Sequence, residues 1–314
     1  MSLSVIAGTA TAGSIDAIYS FGDSLSDVGN AFIATGFTIP GPPYVNGQFS
    51  NGPIWVQTLA ADLGLPPLTP SLAGGTDYAV GTAESGTTLF HTAGPADLPS
   101  QLASFETGHS AADPNALYTI WIGSNDLGDI PNTANTAQIG ADFAEIVGNI
   151  DSSINTLAGL GATNFLVLTV PDVGKTPAAL AGGPLAAAAA SALSGQLDTA
   201  LAANLAGFSG LNLRLLNTYA LVDAIVANPG VFGFTNVTAP CVTGAVNFVG
   251  GTACSADINV QNQFLFWDQQ HPTEAGHALV GNAALAILTP EPASLSLLTA
   301  GLVALGMIRL RSSR

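Results

Sequence analysis

The chain has 314 residues, of which 48% are hydrophobic and only 8% charged, so it can bury a sizeable core, and this composition argues against disorder. It carries 21 acidic and 5 basic residues, and its formal net charge is −16. A body this acidic cannot neutralise a phosphate backbone, which excludes nucleic acid as a partner and disfavours anionic membrane surfaces.

Residues 17–289 are predicted to form one domain, because no Pro/Ser-rich linker or internal repeat interrupts them. Short apolar runs alternate there with longer amphipathic ones. The predicted strands are residues 17–21, 76–80, 117–122, 165–170 and 213–216, and the predicted helices are residues 53–63, 137–160, 184–205 and 274–288. Strands that are apolar on both faces suit a parallel sheet covered on both sides. We therefore predict a three-layer α/β/α sandwich that binds its ligand beyond the carboxyl ends of the strands.

The first motif, Phe-Gly-Asp-Ser-Leu-Ser-Asp at residues 21–27, follows the first predicted strand directly. A serine at a strand-to-helix turn is exposed at the edge of the sheet and can act as a nucleophile, which makes Ser24 the candidate. Taken alone, Gly-Asp-Ser is more typical of a turn or a helix N-cap. The chain contains no Gly-x-Ser-x-Gly, so the nucleophile elbow of ordinary α/β-hydrolases is excluded.

The second motif, Asp268-Gln-Gln-His271-Pro, immediately precedes the last predicted helix. A carboxylate three residues before a histidine can reach one nitrogen of the imidazole and fix the tautomer of the ring. The other ring nitrogen is then free to accept a serine proton. The alternative is that Asp268 interacts only with the start of the helix.

Two further motifs end predicted strands. Asn125, in Gly-Ser-Asn-Asp, could donate its side-chain amide to an oxyanion, and Gly81, in Ala-Val-Gly-Thr, could offer its backbone N–H. Each has a simpler explanation, since Asn/Asp turns and glycines are common where strands end.

Together, and in this order, the four motifs resemble the GDSL or SGNH hydrolase family, and the similarity runs from about Tyr19 to Leu288. Residues 22–30, 47–53 and 170–177 look like the exported bacterial esterases and lipases of that family. The resemblance implies a flavodoxin-like sandwich. One departure is Thr82, where relatives often carry a second glycine.

The resemblance also implies a two-step acyl transfer. Ser24 is then the nucleophile, His271 its base and Asp268 the partner of the histidine, and the oxyanion hole consists of the N–H groups of Ser24 and Gly81 with the Asn125 side chain. No cofactor and no metal is implied, and no Cys-x-x-Cys or cluster of Cys with His indicates a metal site. Asp23 and Asp27 are expected to order the turn, and His277 to pack locally.

Cys241 and Cys254 are the only cysteines, and Cys254 lies in a stretch rich in Gly, Thr and Asn that is typical of a surface loop. In an exported protein such a pair is expected to form a disulfide that closes the loop. The alternative is a pair of free thiols in a cytosolic protein.

Both ends resemble processing signals. Residues 1–16 are small and apolar, like the end of a signal peptide that lacks its basic start; the alternative is an ordinary terminus. Residues 290–314 comprise Pro-Glu-Pro, an uncharged apolar run and three arginines, and they resemble the PEP-CTERM sorting signal. That resemblance implies export by a Gram-negative bacterium, transient membrane anchoring and processing by sorting machinery. The alternative is a buried C-terminal helix.

The sequence thus predicts an exported serine hydrolase that cleaves small acyl esters or lipids. Three alternatives remain: an O-acetyl esterase acting on extracellular polysaccharide, an enzyme that transfers the acyl group to an acceptor other than water, and a surface or matrix protein without catalytic activity. The last would be marked by a damaged nucleophile, base or oxyanion donor, and the sequence shows none.

Overall fold

The computed structural model describes residues 15–86, 96–130 and 134–289, so nearly all of the predicted leader and the whole sorting signal lie outside the described residues. Its central sheet has four parallel strands in the order β1-β2-β3-β4. These strands are β1 (Ile18–Gly22), β2 (Leu117–Trp121), β3 (Asn164–Leu168) and β4 (Asn212–Leu216). The predicted parallel sheet is confirmed, and each of the four strands lies within two residues of its predicted bounds.

The predicted strand at residues 76–80 is wrong as a regular strand, although its backbone does follow β1. Tyr78 N–H donates to Ser20 O at 2.7 Å and Val80 N–H donates to Gly22 O at 3.1 Å. Asp77 also bonds the chain on its other side, since its N–H donates to Thr69 O at 3.1 Å. The segment lies between two backbones, and it forms one isolated bridge with β1 and another with Pro70. Its position gives the spatial strand order 2-1-3-4-5 of flavodoxin-like folds.

The four predicted helices are confirmed, and two of them have the predicted bounds. The helices are α1 (Asn30–Ala34), α2 (Trp55–Asp62), α3 (Leu98–Gly108), α4 (Ser124–Asp129), α5 (Thr136–Leu160), α6 (Pro177–Ala181), α7 (Pro184–Leu205), α8 (Thr218–Ala227), α9 (Ile258–Gln261) and α10 (Glu274–Leu288). Among the helices without a counterpart in the predicted elements, α3 and α8 are the longest. In the part of the chain that the structure describes, no helix is long and apolar enough to cross a bilayer.

Helices cover the sheet on both faces, as the apolar strands predict. Successive residues of β2 face opposite ways: Tyr118 and Ile120 pack in a core with residues of α3, α5 and α7, whereas Leu117 and Trp121 pack with residues of α2 and α10. The three-layer sandwich is therefore confirmed.

Short strands that follow β4 in the sequence lead into the segment that contains Asp268 and His271. Strand β5 (Asn236–Pro240) pairs in parallel with β8 (Phe264–Phe266), and β6 (Val242–Thr243) pairs antiparallel with β7 (Thr252–Ala253). Cys241 and Cys254 form a disulfide around the second pair, which confirms the predicted bond.

Candidate active site

Ser24 lies in a tight turn at the carboxyl end of β1. The turn begins at Gly22, whose φ is +154° and where a Cβ would clash with the carbonyl oxygen of Trp121. Asp23 then orders the next residues, since its side chain accepts the N–H of Leu25 at 2.9 Å. Its carbonyl oxygen accepts the N–H of Ser26 at 3.0 Å. This local bonding presents Ser24 at the edge of the sheet, as predicted, and Asp23 orders the turn as expected.

The Asp-Gln-Gln-His segment forms a compact turn before α10. One carboxylate oxygen of Asp268 accepts the backbone N–H groups of Gln270, at 2.9 Å, and His271, at 2.7 Å. The other accepts Nδ1 of His271 at 2.7 Å. Thr273 is the residue that caps α10, with its hydroxyl accepting the N–H of Gly276 at 3.3 Å. The alternative in which Asp268 serves only the start of that helix is therefore excluded.

A continuous chain of hydrogen bonds links Ser24, His271 and Asp268. His271 Nε2 lies 2.8 Å from Ser24 Oγ, across 247 residues of sequence. All three residues are buried, with 7%, 2% and 5% of their surfaces exposed. Burial by itself raises the pKa of Asp268, but the charge of His271 and the hydrogen bonds to the carboxylate outweigh it and hold this pKa below its usual value. An ionised Asp268 orients the imidazole so that Nε2 faces the serine hydroxyl.

Asn125 lies at the start of α4 and lines the same pocket as Ser24. Its side-chain amide donates to Ala83 O at 2.8 Å, which leaves one of its two N–H bonds for another acceptor. The backbone N–H of Ser24 has no acceptor among the described residues. Both groups are available as oxyanion donors.

The expectation of a free N–H at Gly81 is not met. This N–H donates to the buried carboxylate of Asp27 at 2.8 Å. The same carboxylate accepts the N–H groups of Gly29, Asn30 and Ala31, so it fixes the Gly81 loop against the serine turn. The neighbouring Thr82 has an exposed side chain and a φ of +70°. In the described part of the chain its N–H has no acceptor. A β-branched residue at positive φ is strained, and such strain is concentrated at functional sites.

Carboxyl groups cluster behind the serine turn. Burial raises the pKa of Asp23 to about 7. Burial also raises the pKa of Asp27 to about 6, although four backbone N–H groups oppose the shift. Asp77 is equally buried, and desolvation together with the charge of Asp27 raises its pKa well above the usual value. No group of three or more His, Cys, Asp or Glu side chains in the described ranges could hold a metal ion.

A pocket of about 260 Å³ opens beside Ser24 and His271. Most of its other lining side chains are apolar. They include Leu25, Leu127, Pro171, Val173, Ala190 and Leu193. The sheet edge thus presents a hydroxyl, a base and amide donors beside an apolar pocket.

Three aromatic residues that the sequence analysis did not assign to the site contact the Asp268–His271 pair. The hydroxyl of Tyr44 donates to Asp268 at 2.8 Å. The rings of Phe49 and Phe248 lie 5.2 and 5.4 Å from the imidazole of His271. Phe49 falls in a segment that resembles exported esterases, which is the one signal that could have pointed to it.

Known proteins resemble this chain over most of its length. Residues 18–284 match the family model described as GDSL-like Lipase/Acylhydrolase. The chain belongs to this family. It is 27% identical over 281 residues to the thermolabile hemolysin of Vibrio parahaemolyticus, a match that covers 86% of this chain and 63% of that protein. It is also 27% identical to the phosphatidylcholine-sterol acyltransferase of Aeromonas hydrophila, with 88% of this chain and 80% of that protein covered.

Among solved structures, a member of the lipolytic G-D-S-L family from Veillonella parvula is similar to this chain, with a TM-score of 0.44 and 13% identity. The match covers 87% of this chain and 98% of that one. The chain therefore spans somewhat under two thirds of the Vibrio hemolysin but nearly all of the Veillonella protein.

Proposed function

We propose that this chain hydrolyses carboxylic esters through an acyl-enzyme formed on Ser24. One observation carries the proposal: Ser24 Oγ lies 2.8 Å from His271 Nε2, while Nδ1 of the same ring lies 2.7 Å from Asp268. A serine hydroxyl bonded to an oriented imidazole is an activated nucleophile. Membership in the lipase/acylhydrolase family supports this assignment.

The reaction proceeds in two steps. His271 Nε2 removes the proton of Ser24 Oγ as the oxygen attacks the ester carbonyl, and Asp268 stabilises the imidazolium that forms. The imidazolium then donates this proton to the departing alkoxide, which leaves an acyl group on Ser24. A water molecule, deprotonated by the same nitrogen, then attacks the acyl group. The bond to Ser24 Oγ breaks, the imidazolium returns the proton to this oxygen, and the acid is released.

The oxyanion is held by preorganised donors at the edge of the sheet. The N–H of Ser24 and the free amide N–H of Asn125 supply two of them. We assign the third to the N–H of Thr82, because the N–H of Gly81 already donates to Asp27. Loss of one such donor typically lowers turnover by ~10²–10³.

The pocket favours small, uncharged acyl esters. Its volume of about 260 Å³ lies below the range of ~300–1,000 Å³ that is typical of sites for drug-sized ligands. Its apolar lining suits a short acyl chain, and the net charge of −16 repels anionic substrates at long range.

A second candidate substrate is the O-acetyl ester of an extracellular polysaccharide. The small volume of the pocket favours it, since acetyl is among the smallest acyl groups. Acetate release from an acetylated polysaccharide, compared with hydrolysis of an octanoate ester, separates the two substrates. Because one relative is an acyltransferase, the assay should also include an alcohol acceptor and quantify the transferred ester.

We further propose that the protein is exported and transiently anchored through residues 290–314, which the sorting machinery then processes. The resemblance of this segment to a sorting signal supports the proposal. The Cys241–Cys254 disulfide suits an oxidising compartment. Fractionation of cells that express the wild type and a variant with Pro290, Glu291 and Pro292 replaced by Ala tests it; identical distribution and chain mass would contradict it.

The activity itself is tested with purified full-length wild type and Ser24→Ala. Both are assayed on p-nitrophenyl acetate, butyrate and octanoate, and both are treated with an organophosphate that labels activated serines. We expect hydrolysis and a single mass adduct in the wild type, and neither in Ser24→Ala. Equal background rates from two folded samples, with no adduct, would refute ester hydrolysis.

A further inference from the structure

We propose that Tyr44 and the disulfide loop, residues 241–254, position the Asp268–His271 pair for proton transfer from Ser24. The inference rests on the proposed function, because it concerns how the same base is held. Neither part touches the reacting atoms, so both act through Asp268 and His271.

Tyr44 completes the hydrogen bonding of Asp268. The carboxylate accepts the N–H groups of Gln270 and His271 on one oxygen, and Nδ1 of His271 together with the hydroxyl of Tyr44 on the other. A carboxylate has about four lone-pair sites, so this set is full. The other three donors belong to the Asp268 turn itself, whereas Tyr44 lies 224 residues away in sequence. Tyr44 therefore fixes the turn relative to the rest of the fold.

The hydroxyl of Tyr44 remains a donor at all working pH values. The residue is buried, and both desolvation and the charge of Asp268 raise the pKa of Tyr44. Its hydrogen bond to the carboxylate is charge-assisted, and such bonds are stronger than those between neutral groups.

The disulfide loop restrains the imidazole itself. The ring of Phe248, in this loop, meets the His271 ring edge-on with centroids 5.4 Å apart. The ring of Phe49 packs against His271 at 5.2 Å and also contacts Phe248 at 5.1 Å. Rotation of the imidazole away from Ser24 would displace one of these rings, so the loop limits the orientations of the base.

The disulfide loop and the Tyr44 segment are also joined to each other. Gly41 N–H donates to Phe248 O at 2.9 Å, and Gly250 N–H donates to Pro42 O at 2.8 Å. At the base of the loop, Val242 N–H donates to the carbonyl of Trp267, the residue before Asp268, at 2.7 Å. The Cys241–Cys254 bond closes the loop. A closed loop has less conformational freedom, so these contacts hold Phe248 against the base.

The pH dependence of kcat/KM reports on this positioning. Among the residues that the structure describes, Asp23 and His277 also interact electrostatically with His271. The variants below leave both of them intact. Removal of the Tyr44 hydroxyl takes one hydrogen bond from the Asp268 carboxylate, which is then less stabilised and more basic. The acidic limb of the kcat/KM profile should then move to higher pH.

The primary test compares Tyr44→Phe with Tyr118→Phe. The control also removes a buried hydroxyl, one that donates to the backbone of Asp113 at 3.1 Å. For Tyr44→Phe we expect kcat on p-nitrophenyl butyrate to fall about tenfold with little change in KM, and the acidic limb to shift upward. The control should keep the wild-type kinetics. Wild-type kinetics in Tyr44→Phe, or the same changes in both variants, would overturn the proposal.

Two further measurements keep the test decisive. If Tyr44→Phe does not fold, Phe248→Leu should lower kcat, and reduction of the disulfide should lower kcat in the wild type; unchanged turnover in both cases would refute the proposal. If the wild type proves inactive on esters, the proposed function fails separately. The low-field proton resonance of His271 Nδ1–H then still reports the positioning: a shift or broadening in Tyr44→Phe supports it, and an unchanged signal overturns it.

Discussion

The carboxylate of Asp27 accepts the backbone N–H of Gly81 at 2.8 Å and thereby joins two segments that lie 54 residues apart in sequence. The same carboxylate accepts three N–H groups at the start of α1, so the loop that carries Gly81 is fixed directly to the turn that carries Ser24. The position of the Thr82 N–H therefore depends on a side chain from the nucleophile motif.

Replacement of Asp27 by Asn should damage catalysis more than substrate binding. An amide has one acceptor oxygen where the carboxylate has two, so some of the four N–H groups lose their acceptor and the loop shifts. We expect kcat on p-nitrophenyl butyrate to fall by about 10- to 100-fold, since an oxyanion donor is displaced rather than deleted. KM should change little. Asp198→Asn, which alters a buried carboxylate in the C-terminal half of α7, is the matched control. Equal kcat values for both variants would contradict the role of Asp27.

Shortening Leu193 should change the preference for acyl-chain length. This side chain lines the pocket beside Ser24, so Leu193→Ala enlarges the space for the acyl group. One methylene in a hydrophobic pocket changes the discrimination between two substrates by ~1–3 kcal/mol. We therefore expect the ratio of kcat/KM for octanoate to kcat/KM for butyrate to rise about tenfold. Leu205→Ala, at the far end of the same helix, should leave the ratio unchanged although it costs stability. An unchanged ratio in Leu193→Ala would show that the acyl group binds elsewhere.

Asp198 should make the fold less stable at neutral pH than at pH ~4. Burial raises the pKa of Asp198 to about 7, whereas its ordinary value is 3.8. The folded state therefore binds more protons between these values, and the free energy of unfolding falls as pH rises from about 4 to 7. Asp198→Asn keeps the oxygen that accepts Val170 N–H at 2.9 Å. At pH ~8 this variant should be more stable by ~1–3 kcal/mol, with a flatter dependence on pH. Urea unfolding at several pH values measures the difference, and parallel curves for the two proteins would rule out the effect.

His277 should act in the opposite direction. It is buried in α10, and neither ring nitrogen has a hydrogen-bond partner among the described residues. Desolvation lowers the pKa of His277 from 6.5 to about 3. Below the ordinary value the unfolded state binds the extra proton, so stability is lost as pH falls from about 6.5 towards 3.

An apolar substitution of His277 isolates this contribution. His277→Leu removes the titration, so it should lose less stability than the wild type between about pH 6.5 and 4, by on the order of 2–3 kcal/mol. The two proteins share all their carboxyl groups, so the contributions of these groups cancel in the difference between the two unfolding free energies at each pH. A constant difference across this range would mean that His277 does not titrate with unfolding.

Local sequence determined the parts of this protein that depend on neighbouring residues. The bounds of α7 and α10 were predictable because helical periodicity and capping operate within a few residues, as with Thr273 at the start of α10. The Asp268–His271 contact was predictable for the same reason, since the two residues are three apart and one turn brings them together. The four motifs in order also indicated the family, and the family model matches.

Only the tertiary structure decided which distant groups meet. Residues 76–80 have the composition of a strand, yet they form only isolated bridges at Asp77, one to Ser20 of β1 and one to Pro70. No local pattern indicates that Asp27 occupies the N–H of Gly81, or that Tyr44 reaches Asp268 from 224 residues away. Such contacts form only after the chain has folded back on itself, and the side chains that compete for one donor or acceptor become neighbours only then.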